Sequence, residues 1–214
     1  MTHTHVKICG LTRPEDAAAA VASGADALGV VFAPSQRLVT IEQAAAVLHD
    51  VPASVGRFGV FVDATLDEIA EAVEACRLTG VQLSGSESPE FCDRISVPVM
   101  KVVHVGTDFG LEALEPYRAH AAALLLDTLV SGKAGGSSQV FDWQRIGGLP
   151  GRVPLLVAGG LTPENVRACI ATLHPFGVDV SSGVETSPGI KDPSRIEAFC
   201  AAVRACDTES RTSR

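Results

Sequence analysis

Leu155-Leu-Val-Ala-Gly-Gly-Leu-Thr-Pro-Glu-Asn-Val166 is the stretch that decides the fold, and Val178-Asp-Val-Ser-Ser-Gly-Val-Glu185 repeats its plan. Each stretch is a short apolar run that ends in small residues and then turns. Because glycine has no side chain to keep an anion off the backbone, its N–H group can point at a phosphate oxygen. The two stretches therefore predict a phosphate clamp built on Gly159, Gly160 and Gly183.

The loops after the last two strands of a (β/α)8 barrel are the usual place for a substrate phosphate, so six similar units should precede this pair. They do: earlier apolar runs begin at Val6, Ala27, Ser54, Gly80, Pro98 and Ala122. Continuous Val, Leu and Ile runs are typical of parallel strands buried on both faces. No dinucleotide fingerprint follows the first run, which argues against an open doubly wound sheet. We predict an α/β fold, a single (β/α)8 TIM barrel over residues 1–206, with a disordered polar tail at 207–214.

Helix-start residues follow most of the apolar runs. Capping boxes are predicted at Thr12-Arg-Pro-Glu15, Thr40-Ile-Glu-Gln43 and Thr65-Leu-Asp-Glu68, and Ser88 is expected to start a short helix. Further helices are expected over 111–118, 141–146 (after a Gly/Ser loop at 128–139), 162–173 and 192–206.

Composition, charge and cysteine spacing argue against several classes of protein. No apolar run approaches the roughly 18 residues of a membrane span, and the first residues lack a secretory pattern, so we expect a cytoplasmic protein with no membrane partner. A net charge of −8 without a Lys/Arg cluster argues against a nucleic-acid partner. Six cysteines without a C-x-x-C pair give no support for a zinc knuckle, and we expect reduced thiols. His3 and His5 are interpreted as a frayed terminus rather than a metal site.

Reactive groups in such a barrel come from the C-terminal ends of the strands. Strand one ends in Cys9, strand six ends in Asp127, and the loop after strand two carries Arg37. Lys7 lies two residues before Cys9, on the same strand face, and is expected to favour the thiolate. A base and an acid at one mouth, beside an anchored phosphate, suit a proton-shuttling isomerisation of a phosphosugar. The guanidinium of Arg37 suits a substrate carboxylate.

Simpler interpretations exist for these residues. Cys9 on its own is more readily a small buried hydrophobe, Asp127 is as readily a loop cap, and Arg37 is as readily a solvated surface charge.

Eight short motifs follow one another in order along the chain: Lys7-Ile-Cys-Gly-Leu-Thr12, Ser35-Gln-Arg37, Gly59-Val-Phe-Val62, Val81-Gln-Leu83, Leu125-Leu-Asp127, Gly135-Gly136 with Phe141-Asp-Trp143, Ala158-Gly-Gly-Leu161-Thr-Pro-Glu-Asn165 and Val178-Asp-Val-Ser-Ser-Gly-Val-Glu185. Their order and spacing resemble one family, the phosphoribosylanthranilate isomerases of tryptophan biosynthesis.

The resemblance implies an Amadori rearrangement of N-(5-phosphoribosyl)anthranilate to 1-(2-carboxyphenylamino)-1-deoxyribulose 5-phosphate, without a metal or an organic cofactor. It implies that Asp127 protonates the furanose ring oxygen, that Cys9 removes the C2 proton, and that Arg37 holds the anthranilate carboxylate. Backbone groups at Gly159-Gly160 and Ser182-Gly183 match the family's phosphate site.

Two positions depart from the family pattern. Ser84 stands where the family usually has a histidine after strand four, and Gly136-Ser-Ser138 stands for a Gly-Thr-Gly in the loop after strand six. Ser84 can donate a hydrogen bond but does not titrate near neutral pH, so the role of that histidine is lost or relocated. Ser137 and Ser138 resist the positive φ angles that are open to glycine, which affects how that loop moves.

Other functions are compatible with the same barrel. A metal-dependent epimerase or lyase needs several ligands at strand ends, and His104 is the one histidine near such an end. A Schiff-base enzyme needs a lysine at the mouth, but Lys101, within strand five, is interpreted as buried or paired. A non-catalytic phosphosugar-binding barrel is the third alternative. The sequence leaves monomer and homodimer equally open.

Overall fold

The structure, a computed structural model, describes residues 3–106, 109–128, 143 and 153–212, with side chains up to Glu209. Its parallel strands close into a barrel in chain order, with β8 pairing back onto β1 through His5 and Gly177. The strands are β1 His5–Ile8, β2 Ala27–Val31, β3 Gly56–Phe61, β4 Gly80–Leu83, β5 Val99–Val105, β6 Ala123–Thr128, β7 Leu155–Val157 and β8 Gly177–Val180. The predicted single (β/α)8 TIM barrel is confirmed.

Helical segments separate most of the strands. They are α1 Pro14–Ala22, α2 Ile41–Leu48, α3 Leu66–Ala75, α4 Pro89–Cys92, a 3-10 helix Leu111–Tyr117, α5 Val166–Leu173, a 3-10 turn Ser182–Val184 and α6 Pro193–Thr212. A short antiparallel pair, β9 Glu185–Ser187 and β10 Ile190–Lys191, precedes α6. The expected capping boxes at Thr40 and Thr65 are confirmed, and Ser88 accepts a hydrogen bond from the Phe91 amide as predicted.

The capping box predicted at Thr12 is wrong. The first helix begins at Pro14, and the Arg13 side chain there donates to Asp16 at 2.6 Å. Thr12 lies one residue before the N-cap position, which is Arg13, and no side chain caps this helix. The Thr12 hydroxyl instead donates to the carbonyl of Gly189, in the loop between β9 and β10.

Three helices differ from the bounds expected from the sequence. The 111–117 segment is a 3-10 helix that contains Pro116, a residue that cannot donate an α-helical hydrogen bond. The helix after β7 begins four residues later than expected, because the Asn165 side chain holds a turn by bonding to Thr162 and Gly160. The last helix continues past Cys206 to Thr212. The helix expected over 141–146 and the loop after Thr128 lie outside the described residues, apart from Trp143.

Apolar side chains occupy two places in the barrel. A large cluster lies between the strands and the surrounding helices. A smaller one, formed by Met100, Val102, Leu125, Leu156 and Ala158, fills part of the barrel interior. Alternate residues of a strand face the interior. On β5 these are the even-numbered residues and on β6 the odd-numbered ones, so the polar residues at such positions lie at the top of this packed layer. In the part of the chain that the structure describes, no helix is both long and apolar enough to cross a bilayer.

Candidate active site

A cavity of about 1030 Å³ opens at the C-terminal ends of the strands. This is the face on which barrel enzymes bind their substrates, and its volume suits a small organic ligand. The side chains or backbone that line it include Cys9, Arg37, Ser84, His104, Asp127, Gly159, Gly160 and Ser182. The thiol and the carboxyl singled out in the sequence therefore share one cavity, and Gly183 lies directly beside its lining.

Cys9 is 7% exposed and contributes to the cavity wall. Burial raises the pKa of its thiol; nearby Lys7 lowers it, and Asp179 adds to the rise. The net direction is upward, so the thiolate-favouring effect expected of Lys7 is outweighed. Burial is the largest of these effects, and the Lys7 ammonium also donates to Asp179 and Gln82 at 2.9 Å each.

The buried ammonium of Lys7 is stabilised in its charged form. Burial alone would lower its pKa, but Asp179 and Cys9 more than offset that cost, and the pKa of Lys7 is raised. Lys7, Gln82 and Asp179 thus form a polar layer inside the barrel, directly below the cavity.

Asp127 ends β6 with its carboxyl largely shielded from water. Burial and the negative charge of Asp179 raise its pKa to about 6, against an opposing effect of His104. A carboxyl with this pKa keeps its proton much closer to neutral pH than an exposed aspartate does. The environment is therefore that of a general acid.

Arg37 lines the cavity but is already held by a carboxylate. Its Nε and Nη2 atoms donate to Glu185 at 2.8 and 2.6 Å, and these bonds raise the pKa of Arg37. Glu185 also accepts from the fully buried ammonium of Lys191 at 2.8 Å. The Lys191 ammonium donates in addition to the carbonyl oxygens of Cys9 and Ser181, at 2.6 and 3.1 Å.

This Arg37–Glu185–Lys191 cluster has two cations and one carboxylate, and so carries a net charge of +1 at the cavity mouth. Sequence reasoning found Arg37 and missed the other two residues. The signal for Glu185 was its position directly after the second glycine turn; Lys191 gave no comparable signal.

The two glycine turns have the geometry of an anion site. Gly159 and Gly160 have φ angles of 84° and 65°, and a Cβ atom at Gly183 would clash with the Leu161 carbonyl oxygen. The carbonyls of Gly160 and Gly183 accept from the side chains of Asn165 and Arg195, both at 2.9 Å. No acceptor is found among the described residues for the amide of Gly160, which leaves it free to donate to an anion.

Two further residues had uncertain roles in the sequence. The ammonium of Lys101 is buried and donates to Glu87 at 3.0 Å and to two backbone carbonyls, so its interpretation as a paired structural lysine is confirmed. His104 lines the cavity, with Nε2 at 3.1 Å from the carbonyl oxygen of Ser84.

His3 and His5 are grouped with Asp26, and one ligand atom of each lies within 4.8 Å of the others. His3 Nε2 is 2.9 Å from an Asp26 oxygen, and Arg204 also donates to Asp26. The group surrounds the start of β1 and is therefore at the barrel end opposite the cavity.

Comparison with known proteins assigns the family. The model of the N-(5'phosphoribosyl)anthranilate (PRA) isomerase family matches residues 6–202. A curated relative from Symbiobacterium thermophilum, named N-(5'-phosphoribosyl)anthranilate isomerase, is 47% identical, with 93% of this chain and 97% of the relative covered. One from Pseudomonas fluorescens with the same name is 46% identical over 92% of this chain and 94% of the relative.

Solved structures agree. The phosphoribosyl anthranilate isomerase of Thermotoga maritima superimposes with a TM-score of 0.84 at 39% identity, covering 94% of this chain and 99% of that one. A phosphoribosyl anthranilate isomerase in complex with reduced 1-(o-carboxyphenylamino)-1-deoxyribulose 5-phosphate gives 0.81 at 38%, with the same coverage. This chain therefore belongs to the N-(5'-phosphoribosyl)anthranilate isomerase family.

Proposed function

We infer that this chain is the aldose–ketose isomerase of tryptophan biosynthesis that converts N-(5'-phosphoribosyl)anthranilate to 1-(2-carboxyphenylamino)-1-deoxyribulose 5-phosphate. The family assignment supports the reaction. The observation that carries the assignment of residues is that Cys9 and Asp127 line one cavity, with two glycine turns on its wall.

In the proposed mechanism Asp127 is the general acid. It transfers its proton to the furanose ring oxygen, and cleavage of the bond between that oxygen and C1 leaves a protonated Schiff base between C1 and the anthranilate nitrogen. A pKa of about 6 supports this role, because a fraction of the carboxyl carries a proton near neutral pH.

Cys9 is the proposed base. It removes the proton from C2, and the electron pair of the C2–H bond moves to form the enolamine while the iminium charge is neutralised. The enolamine then gains a proton at C1 and loses one from the C2 hydroxyl, which gives the ketone. The pKa of the Cys9 thiol is raised by burial in the free protein, but Lys7 opposes this rise, and the cationic Schiff base adds a second positive charge that favours the thiolate.

The substrate has an anionic group at each end, and the cavity has two sites that suit an anion. We propose that the carboxylate on the aromatic ring binds at Arg37, where the cluster with Glu185 and Lys191 has a net charge of +1. The phosphate binds the backbone at Gly159, Gly160, Ser182 and Gly183. The amide of Gly160 has no acceptor among the described residues, and Gly183 has no side chain to block the approach.

The reaction as written uses acid–base chemistry alone and calls for no cofactor or metal. We propose a cytoplasmic location, because the substrate is a phosphorylated intermediate of biosynthesis. We also propose that the protein acts as a monomer or a homodimer; a relative from Thermotoga maritima with a TM-score of 0.82 is described as dimeric.

The test follows the fluorescence of the anthranilate adduct, which falls as substrate is consumed, in the presence of EDTA to exclude a metal requirement. We expect turnover by the wild type, and losses of at least about 100-fold for Cys9→Ser and for Asp127→Asn. Cys206→Ser and Asp50→Asn serve as matched controls that retain turnover, since Cys206 lies on α6 and Asp50 is almost fully exposed.

Intact turnover in both Cys9→Ser and Asp127→Asn would contradict the proposed roles. Absence of turnover in the wild type, with retained binding of the product, would instead favour the alternative of a non-catalytic phosphosugar-binding barrel. Epimerisation or cleavage of a phosphosugar would favour the other alternative, an epimerase or lyase.

A further inference from the structure

His104 has a buried nitrogen without a partner, at the edge of the cavity. Its Nε2 atom is 3.1 Å from the carbonyl oxygen of Ser84. Its Nδ1 atom is shielded from solvent and has no hydrogen-bond partner among the residues that the structure describes. A buried polar atom without a partner costs free energy, so such an atom in a cavity wall calls for an explanation.

The contact with Ser84 fixes the tautomer of the neutral ring. A carbonyl oxygen can only accept, so Nε2 carries the hydrogen and Nδ1 presents a lone pair. Nδ1 therefore needs a donor when the imidazole is neutral and becomes a donor itself when the ring is protonated.

Asp127 is the group beside His104 that can meet both needs. The two residues are paired in register on the adjacent strands β5 and β6, and both line the cavity. Adjacent strands are about 4.8 Å apart, which brings neighbouring inward side chains within reach of each other after small rotations. The carboxyl of Asp127 is an O–H donor when protonated and an acceptor when ionised.

We propose that His104 is a positioning residue for the general acid: His104 and Asp127 share one proton, and the hydrogen bond between them directs the carboxyl at the substrate. The proton is either on Asp127, which then donates to Nδ1, or on Nδ1, which then donates to the carboxylate. The inference rests on the acid role of Asp127 in the proposed function.

The pair returns to its starting state in each catalytic cycle. Asp127 gives its proton to the ring oxygen of the sugar and becomes a carboxylate. When the enolamine becomes the ketone, the C2 hydroxyl loses a proton, and the Asp127–His104 pair takes it up. No proton is gained or lost overall, and no further reactant is needed.

The position of His104 is also related to Ser84, which stands where the family usually has a histidine. The family histidine on β4 is replaced here by Ser84, whose small side chain leaves its carbonyl open to the imidazole from β5. The histidine function lost at β4 is thus relocated one strand further along the barrel.

Among the residues that the structure describes, few other groups titrate near the pair. Gln82 on β4 and Ser84 directly after it are neutral and line the cavity, and the Lys101–Glu87 ion pair lies on the opposite face of β5. The charged or titratable groups that face the pair across the barrel interior are Lys7, Cys9 and Asp179.

The test is the pH dependence of kcat for His104→Leu, with His49→Leu as the control because His49 is exposed. A pair that shares a proton holds it to a higher pH than Asp127 alone does. In His104→Leu we expect the alkaline limb of the kcat profile to move to lower pH by about one unit, since one hydrogen bond is worth about tenfold in the proton-loss equilibrium. We also expect kcat at pH 7.5 to fall about tenfold, with KM changed less than about twofold.

His104→Gln provides a second reading, because its amide can donate to Ser84 and accept from protonated Asp127 without titrating. We expect the kcat of His104→Gln at pH 6 to exceed that of His104→Leu. If the leucine variant does not fold, the kcat of His104→Gln should lie within about threefold of the wild type. In both cases the alkaline limb of the His104→Gln profile should still be displaced. A wild-type profile in His104→Gln, or in a folded His104→Leu, would overturn the proposal. If Asp127→Asn keeps full turnover, the failure lies instead in the proposed acid role.

Discussion

Asp127→Asn should make the protein more stable while it lowers turnover by at least about 100-fold. The pKa of this carboxyl is raised from 3.8 to about 6, which means that the folded protein disfavours its ionised form by about 3 kcal/mol. Asparagine has nearly the same shape and carries no charge, so the variant avoids that cost. We expect a gain of up to about 3 kcal/mol at pH 8, or roughly 6–12 °C in melting temperature for a chain of this length.

The size of this effect depends on pH in a defined way. Below pH 3.8 the carboxyl is protonated in both the folded and the unfolded protein, so ionisation contributes nothing to stability there. Between pH 3.8 and about 6 the unfolded chain ionises and the folded chain does not, and the wild type loses stability relative to the variant as the pH rises. Above about pH 6 the difference is constant.

The assay is urea and thermal unfolding, followed by circular dichroism at pH 4 and pH 8, on the wild type, Asp127→Asn and the exposed control Asp50→Asn. The gain for Asp127→Asn should be large at pH 8 and small at pH 4, and Asp50→Asn should show neither. A gain of equal size at the two pH values would come from packing and not from charge. No gain at either pH would refute the argument that burial holds the proton on Asp127.

Two further substitutions test the ends of the substrate site. Glu185→Gln should raise KM about tenfold with a smaller effect on kcat, because the amide offers Arg37 one neutral acceptor in place of the two carboxylate oxygens, at 2.8 and 2.6 Å, that fix its direction. Steady-state kinetics would show an unchanged KM if Arg37 needs no such support. Gly183→Ala should raise KM by at least about tenfold and weaken competitive inhibition by inorganic phosphate, because its Cβ would clash with the Leu161 carbonyl and force the turn to move; unaltered inhibition by phosphate would place the anion elsewhere.

The features that the sequence predicted correctly are set by neighbouring residues. The strands follow from local runs of apolar side chains, and the caps at Thr40 and Thr65 follow from residues three positions away. Cys9 and Asp127 could be chosen because a strand end in a closed parallel barrel has a known location even when the partner strands are not identified.

The features that were missed depend on residues distant in the chain. The Arg37–Glu185 ion pair joins positions 148 residues apart, and the hydroxyl of Thr12 bonds to a carbonyl 177 residues away instead of capping its helix. The effect of Lys7 on the pKa of Cys9 was expected in the right direction but is outweighed, first by the burial of the thiol and then by the charge of Asp179, neither of which the sequence revealed. Local patterns carry no information about such competition.

The polar layer inside the barrel connects stability to function. A buried ion pair such as Lys7–Asp179 often stabilises a fold no more than apolar side chains of the same size would, because both charges lose their hydration. Stability alone therefore does not explain a charged layer below the cavity. Its effect on the residues above does: the charge of Asp179 helps to keep the proton on Asp127, and the charge of Lys7 opposes the rise in the pKa of Cys9. One ion pair thus shifts the acid and the base in the opposite directions that their proposed roles require, which an apolar layer could not do.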